Sequence, residues 1–324
     1  MSKPTIFISH GDLDGMSATA VIADTIRKKR PETRLIFLFS QPHELDKTLI
    51  QVPEEFEELY LIDIAIDTEL WPKLSLLLYD ISKRGKIIWL DHHPSTLSFS
   101  DNLTKIGIQT MLENTRSAAS IARKFLQNTS DPSFYESIIK LGEASDLAIK
   151  LEKDDPLYHS LETLSIALAY KTREEQLRKK ILSSWLNKKI IVPDEAAEAA
   201  QEGEKIYREL YQEAKQNTIF ETDKLLIADL RNRRVYGFIG RIASVLAGEK
   251  EKPVILLTRL GETATLITYR APAKNSYEKM SKIVADIARS YGGGGGHLAA
   301  FSYKVPSAYM ENILKELIDA TNSL

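Results

Sequence analysis

The chain has 324 residues, 43% of them hydrophobic, with 43 basic side chains against 45 acidic ones. That length favours two domains over one, and the near-cancelling charge leaves no global field to hold a long polyanion, which argues against tight nonspecific duplex binding. The absence of cysteine excludes disulfides, zinc-thiolate sites and thiol nucleophiles, so any metal must sit on oxygen and imidazole ligands.

Lack of cysteine also agrees with a cytoplasmic protein. The opening sequence MSKPTIFISHGD holds only a short apolar stretch, and no later segment approaches the roughly 20 apolar residues that span a bilayer. A soluble chain with no membrane partner is expected. Apolar runs of strand length recur at 5–9, 34–39, 59–62 and 86–90, with helical periodicity between them at 17–30 and 69–83. Strands alternating with helices predict an α/β fold with a mostly parallel sheet and helices on both faces, where ligands bind beyond the carboxyl ends of the strands.

From about Ser117 to Leu186 the pattern turns helical, which reads as a completion of the first domain. Residues 193–217 open with Pro193 and Asp194 and are rich in Ala, Glu and Lys, a strongly helical composition suited to a linker. Beyond them strands are predicted at 224–230, 253–258, 264–269 and 299–305, with helices near 237–246 and 276–290 and at the C-terminus. The predicted organisation is an N-terminal parallel-sheet domain with helical completion over 1–192, a linker helix over 193–217, and a smaller C-terminal α/β domain over 218–324.

Ionisable residues gather where the first strands end. His10-Gly11-Asp12-Leu13-Asp14-Gly15 follows the run at 5–9, so His10, Asp12 and Asp14 emerge at a carboxyl end, and Gly15 permits a close approach of backbone. The plain alternative is a polar turn with a helix cap. Asp63 follows the run at 59–62, again either a cap or a ligand. Asp91-His92-His93 follows the run at 86–90 and carries two of the six histidines of the chain.

An open parallel sheet collects such residues in one crevice. So many carboxylates close together would repel one another and force some to protonate, and divalent cations remove that conflict. Ligands without sulfur suit manganese first, with magnesium, cobalt or zinc as competitors. A pair of ions about 3.5 to 4 Å apart, bridged by one carboxylate, supports phosphoester hydrolysis. A last motif, the five glycines of 292–296 followed by His297, reads either as a flexible linker or as a loop between helix and strand whose N–H groups cradle an anion.

Taken together, HGDLDG, Asp63 after a strand, Asp91-His92-His93 and GGGGGHLAA resemble the DHH phosphoesterases, in the branch with a DHH-associated second domain that includes RecJ-like nucleases and nanoRNases. The resemblance spans nearly the whole chain. It implies a first metal on His10, Asp12 and Asp63 and a second on Asp14, Asp63, His92 and Asp146, with Asp63 bridging. Asp146, in LGEASDLA, is matched by position alone. Asp91 would orient an imidazole, and His93 would face the scissile phosphate or leaving oxygen. Arg270, Gly293, Gly294, Gly295, Gly296 and His297 would bind substrate in the second domain. Phe301 departs from the family pattern, which commonly has another glycine there.

Members of such a family hydrolyse single-stranded DNA or RNA, very short oligonucleotides, cyclic dinucleotides or nucleotide monophosphates. The leading expectation is an exonuclease on single-stranded DNA or RNA ends, like compact archaeal RecJ-like proteins, with Lys188, Lys189, Arg231, Arg233 and Arg234 following the phosphate backbone. The alternative is a phosphodiesterase for cyclic di-adenylate or short oligonucleotides. A silent scaffold would have lost ligands that are all present here. A replication or repair protein and a second copy of the chain are candidate partners.

Overall fold

The computed structural model describes residues 3–235, 237–272 and 277–323. The chain divides into two compact units, Met1–Ala200 and Gln201–Leu324.

In the first unit, β1 (Thr5–Ser9), β2 (Leu35–Phe39), β3 (Glu58–Ile62), β4 (Lys86–Asp91) and β5 (Gln109–Leu112) form one sheet in the order β2-β1-β3-β4-β5. Every neighbouring pair is parallel. Strand alternation divides the side chains between two faces. Ile6 and Ile8 of β1, Leu59 and Leu61 of β3, and Ile87 and Trp89 of β4 pack in one core with Leu45, Leu74 and Leu78, on the side of α2 (Leu45–Leu49) and α3 (Trp71–Ser82). Phe7 and Tyr60 stack on the opposite face, where α1 (Leu13–Lys29) touches β1 and β3.

After β4 come the short α4 (Pro94–Ser98) and α5 (Ser100–Lys105), and after β5 the helices α6 (Ala118–Ala122), α7 (Pro132–Ser145), α8 (Tyr158–Tyr170) and α9 (Glu175–Asn187). Helix α1 is buried from Leu13 through Ile26 because α6, α7, α8 and α9 all pack on it. Small residues make that possible. A Cβ on Gly142 of α7 would lie 2.7 Å from the Cβ of Ala119 and 2.9 Å from that of Ser17. The predicted linker stretch forms α10 (Asp194–Gln216), and the division between units falls inside that helix, after Ala200.

The second unit holds β6 (Thr218–Glu221), β7 (Leu226–Asp229), α11 (Ile239–Lys250), β8 (Val254–Leu260), β9 (Ala264–Arg270), α12 (Glu278–Tyr291), β10 (Gly293–His297), β11 (Ala300–Pro306) and α13 (Met310–Asn322). Its sheet runs β10-β11-β9-β8-β7-β6, parallel only between β7 and β8. Ile227, Ile255, Ile267 and Tyr269 meet Val284, Ile313 and Leu317 in its core.

The glycine run is a correction to the sequence reading. Instead of a loop, residues 293–297 form the edge strand β10, antiparallel to β11. Gly294 and Gly296 adopt φ of 159° and 140°, and a Cβ there would lie 2.2 Å from the Ser302 carbonyl oxygen and 2.4 Å from that of Ala300. Only glycine lets the two backbones come this close. Among the described residues, no helix is long and apolar enough to cross a membrane.

Candidate metal centre

Each nominated side chain of the first unit stands at an element end. His10 directly follows β1 and donates its backbone N–H to Ile62, while Asp63 directly follows β3 and donates its own to Leu90. The sheet ladder thus continues one residue past the strands and fixes both side chains beside each other. Asp12 is the N-cap of α1, its Oδ1 accepting the Gly15 N–H at 3.0 Å. Its other oxygen lies 2.6 Å from His10 Nδ1. The cap and the ligand readings of Asp12 therefore describe two oxygens of one carboxylate.

Asp63 carries φ of 58°, a left-handed angle uncommon for any residue but glycine. Its Oδ2 lies 3.7 Å from His10 Nδ1 and its Oδ1 lies 3.3 Å from His92 Nε2. One carboxylate thus presents an oxygen to each histidine. Asp14, fully buried in the first turn of α1, accepts the N–H groups of Ala118 and Ala119 at 2.6 and 2.9 Å. Its Oδ2 is 3.9 Å from His92 Nε2, and Asp146 Oδ2, from the residue that ends α7, is 3.5 Å from the same nitrogen.

Three groupings of donor atoms follow, each with its atoms within 4.8 Å of one another: His10, Asp12 and Asp63; Asp14, His92 and Asp146; and Asp63, Asp91, His92 and His93. The first grouping holds the three residues that the resemblance implied for one metal, and the second holds Asp14, His92 and Asp146, three of the four implied for the other; Asp63 is in the first and third groupings and not in the second.

Whether these residues suit a cation can be judged from hydrogen bonding. Buried polar atoms nearly always have partners, yet Asp63 Oδ1, Asp91 Oδ2 and His92 Nε2 have none. His92 Nε2 is close to three carboxylates without bonding any of them in good geometry. Clustered donor atoms, all of oxygen or imidazole nitrogen and several without a partner, are what a hard or borderline divalent cation requires, and the residues fit.

Electrostatics without a cation make the same point. Burial raises the Asp14 pKa well above the usual carboxylate range, and the charges of Asp63, Asp146 and Asp12 raise it further. Asp146 is pushed up to about 7 by burial and by Asp12 and Asp63. Burial alone would lower the histidines, but Asp12 and Asp63 raise His10 well above its ordinary value, Asp63 raises His92, and Asp91 pushes His93 up to about 9. Desolvation opposes the ionisation of Asp12, but the His10 charge outweighs it and holds that carboxyl below its usual range.

Asp91 Oδ1 binds His93 Nδ1 at 2.7 Å and also accepts the His92 backbone N–H at 2.8 Å. The imidazole that Asp91 orients is therefore that of His93, not that of the ligand candidate His92. His10 is oriented separately, its Nε2 lying 3.2 Å from Gln41 Oε1.

Sequence reasoning missed Gln41 and, above all, Arg178. This buried residue of α9 donates Nε–H to the Gly11 carbonyl at 2.6 Å and its other nitrogens to the carbonyls of Lys171, Glu174 and Thr172. It thereby pins the peptide between His10 and Asp12. The only signal was a cation standing one turn before Ile181 on the apolar stripe of α9.

The second unit holds the remaining nominated residues. Arg270, half-buried at the end of β9, donates to the carbonyls of Tyr269 and Phe301. Gly293, Gly294, Gly295 and Gly296 lie on the exposed edge strand, and the His297 side chain lies outside the described residues. Phe301 is buried and stacks on Tyr269 with ring centroids 4.6 Å apart. Several cations nominated to follow a phosphate backbone are already engaged: Lys189 with Asp24 and Tyr135, Arg231 with Asp229, and Arg233 with Glu213.

No family model matches the sequence, and no curated protein does. Solved structures do resemble it. A pGpG-specific phosphodiesterase, PggH from Vibrio cholerae, aligns over 99% of both chains at 15% identity and a TM-score of 0.61. The DHH domain of a protein described as a member of a family of ribosomal proteins aligns over 98% of this chain and 86% of its own at 14% identity, with a TM-score of 0.73. RecJ from Thermus thermophilus, in complex with Mn2+, aligns over 100% of this chain but 52% of its own, at 14% identity and a TM-score of 0.63. The chain therefore spans about half the length of that RecJ. The likeness is one of fold, and the fold is that of DHH-domain proteins.

Proposed function

We propose that this chain is a metal-dependent phosphodiesterase that shortens single-stranded DNA or RNA from its ends. The observation that carries the proposal is the convergence of His10, Asp12, Asp14, Asp63, His92 and Asp146 in groupings that leave Asp63 Oδ1 and His92 Nε2 without hydrogen-bond partners. His10, Asp12 and Asp63 would hold one divalent cation and Asp14, Asp63, His92 and Asp146 a second, with manganese the first choice. Such ions, when bound, supply Lewis acidity and positive charge at the phosphate and ease the deprotonation of water.

The protein's own groups account for the rest. Asp91 holds the Nδ1 side of His93, which leaves Nε2 as the atom that can face a leaving oxygen. A proton held at Nε2 is then the one that a departing alkoxide would take. Asp91 and Gln41 fix the imidazoles before substrate arrives, so their orientation costs nothing during the reaction. In the second unit, Arg270 and the bare backbone of Gly293, Gly294, Gly295 and Gly296 suit contact with phosphate oxygens.

A second reading is a phosphodiesterase for short oligonucleotides or dinucleotides, cyclic di-adenylate among them. It is supported by the end-to-end alignment with a protein described as a pGpG-specific phosphodiesterase. Purified protein with manganese, given end-labelled oligonucleotides of graded length beside cyclic di-adenylate, separates the two. Stepwise shortening of long strands is the expected result. Turnover confined to dinucleotides would replace the first reading by the second, and no turnover of any of them would overturn both.

A further inference from the structure

A cavity of about 420 Å³ opens in the first unit, lined by residues on both sides of Asp146 in the chain, Ala144 and Leu147 among them. The volume lies in the range of small-molecule sites, which are mostly apolar with a few polar groups. Leu147, Ile149, Leu151 and Leu161 supply the apolar lining here, and Arg116 and Lys150 the charge.

The backbone at Leu147 is unusual. Leu147, the residue after the Asp146 cap of α7, adopts φ of 57°, its N–H donating to Ala144 and the Ala148 N–H to Glu143. Glycine is the usual residue at a left-handed position after a helix, since a Cβ there is strained. Leucine occupies it instead and leaves its side chain 80% exposed. Strain and exposure of an apolar side chain both oppose folding, and they coincide next to a proposed metal ligand, where such strain tends to collect. In the same lining, Arg116 is exposed and makes no hydrogen bond or ion pair among the described residues, whereas Lys150 is paired with Glu152 at 2.8 Å.

An apolar lining that also holds an unengaged guanidinium suits a flat heterocycle attached to a phosphate, because the guanidinium can stack on the one or fork onto the other. Building on the phosphodiesterase reading, we propose that this cavity receives the base of a nucleotide adjoining the scissile phosphate, with Leu147 against its face and Arg116 on its base or phosphate. The substrate is then a nucleotide ester rather than a phosphate ester of any kind.

The test uses the full chain with manganese and a dinucleotide carrying 4-thiouracil at both bases, linked by a phosphorothioate that resists hydrolysis. Irradiation should label residues 147–151 or Leu161. Labelling confined to other parts of the chain, or none, would overturn the proposal.

Steady-state kinetics on the ordinary dinucleotide provide a second readout. Leu147→Gly relieves the left-handed leucine, so its Tm should be unchanged or higher while its KM rises about ten-fold, the order of loss that follows removal of one base contact. Arg116→Ala should raise KM by a similar factor. An unaltered KM in both variants would contradict the proposal even if the protein hydrolyses dinucleotides well, and the phosphodiesterase reading would survive. Labelling at residues 147–151 by a protein that hydrolyses no phosphodiester would instead sink that reading and leave the nucleotide cavity standing.

Discussion

Asp63 is held at φ of 58°, a backbone angle that costs a non-glycine residue on the order of 1–3 kcal/mol. Its buried carboxylate stands among Asp12, Asp14 and Asp146, raising the pKa of Asp14 and Asp146. Asp63→Asn keeps the shape and removes the charge, so it should raise the Tm of the metal-free protein by about 2–4 °C while abolishing both hydrolysis and the stabilisation that manganese gives. A lowered metal-free Tm in a thermal unfolding experiment would contradict this. Arg178 acts through the peptide of Gly11. Arg178→Met should weaken manganese binding by about 10–100-fold, as loss of a group that orients ligands does, and unchanged affinity in a calorimetric titration would remove its positioning role. Neither effect was readable from the residues alone. Asp63 looked like a cap or ligand on the strength of its place after an apolar run, whereas Arg178 owes its role to a carbonyl 167 positions away, a distance that no local pattern spans.

The elements that were legible are those in which one face alternates or repeats. The apolar runs of β1, β3 and β4 end in His10, Asp63 and Asp91 or in the residues just before them, and parallel pairing brings those ends to one edge of the sheet. Asp146 follows a different logic, since it reaches the group from the C-terminus of α7. β5, with the sequence QTML, has too short an apolar pattern to be distinguished from loop, and β10 is glycine at four of its five positions, which leaves no alternation to read. Helix packing supplies the element-scale prediction. Gly142 lets α7 approach Ala119 and Ser17 more closely than any Cβ would permit, so Gly142→Ala should destabilise the protein by about 1–3 kcal/mol in chemical denaturation. An unchanged midpoint would show that the helices can move apart freely.

At the scale of the whole molecule, the near-zero net charge hides a cluster whose charges conflict until a cation joins them. Asp14 and Asp146 have raised folded-state pKa values, about 7 for Asp146. The stability they contribute is present below about pH 4 and is lost as pH rises through those values. His93, pushed up to about 9, loses its contribution in the same direction at higher pH. The metal-free protein should therefore become less stable from about pH 4 towards pH 9, and the rise in Tm given by manganese should be larger at pH 8 than at pH 5.5. Equal rises at both would argue against these assignments. The substrate was not legible, because no motif marks the surfaces, such as the proposed Leu147 and Arg116 cavity, that would select its length and base. The central claim is tested most directly by anomalous scattering from a crystal soaked in manganese. The account predicts two peaks, one beside His10, Asp12 and Asp63 and the other beside Asp14, His92 and Asp146, with Asp63 touching both; a map without a peak between these side chains would contradict it.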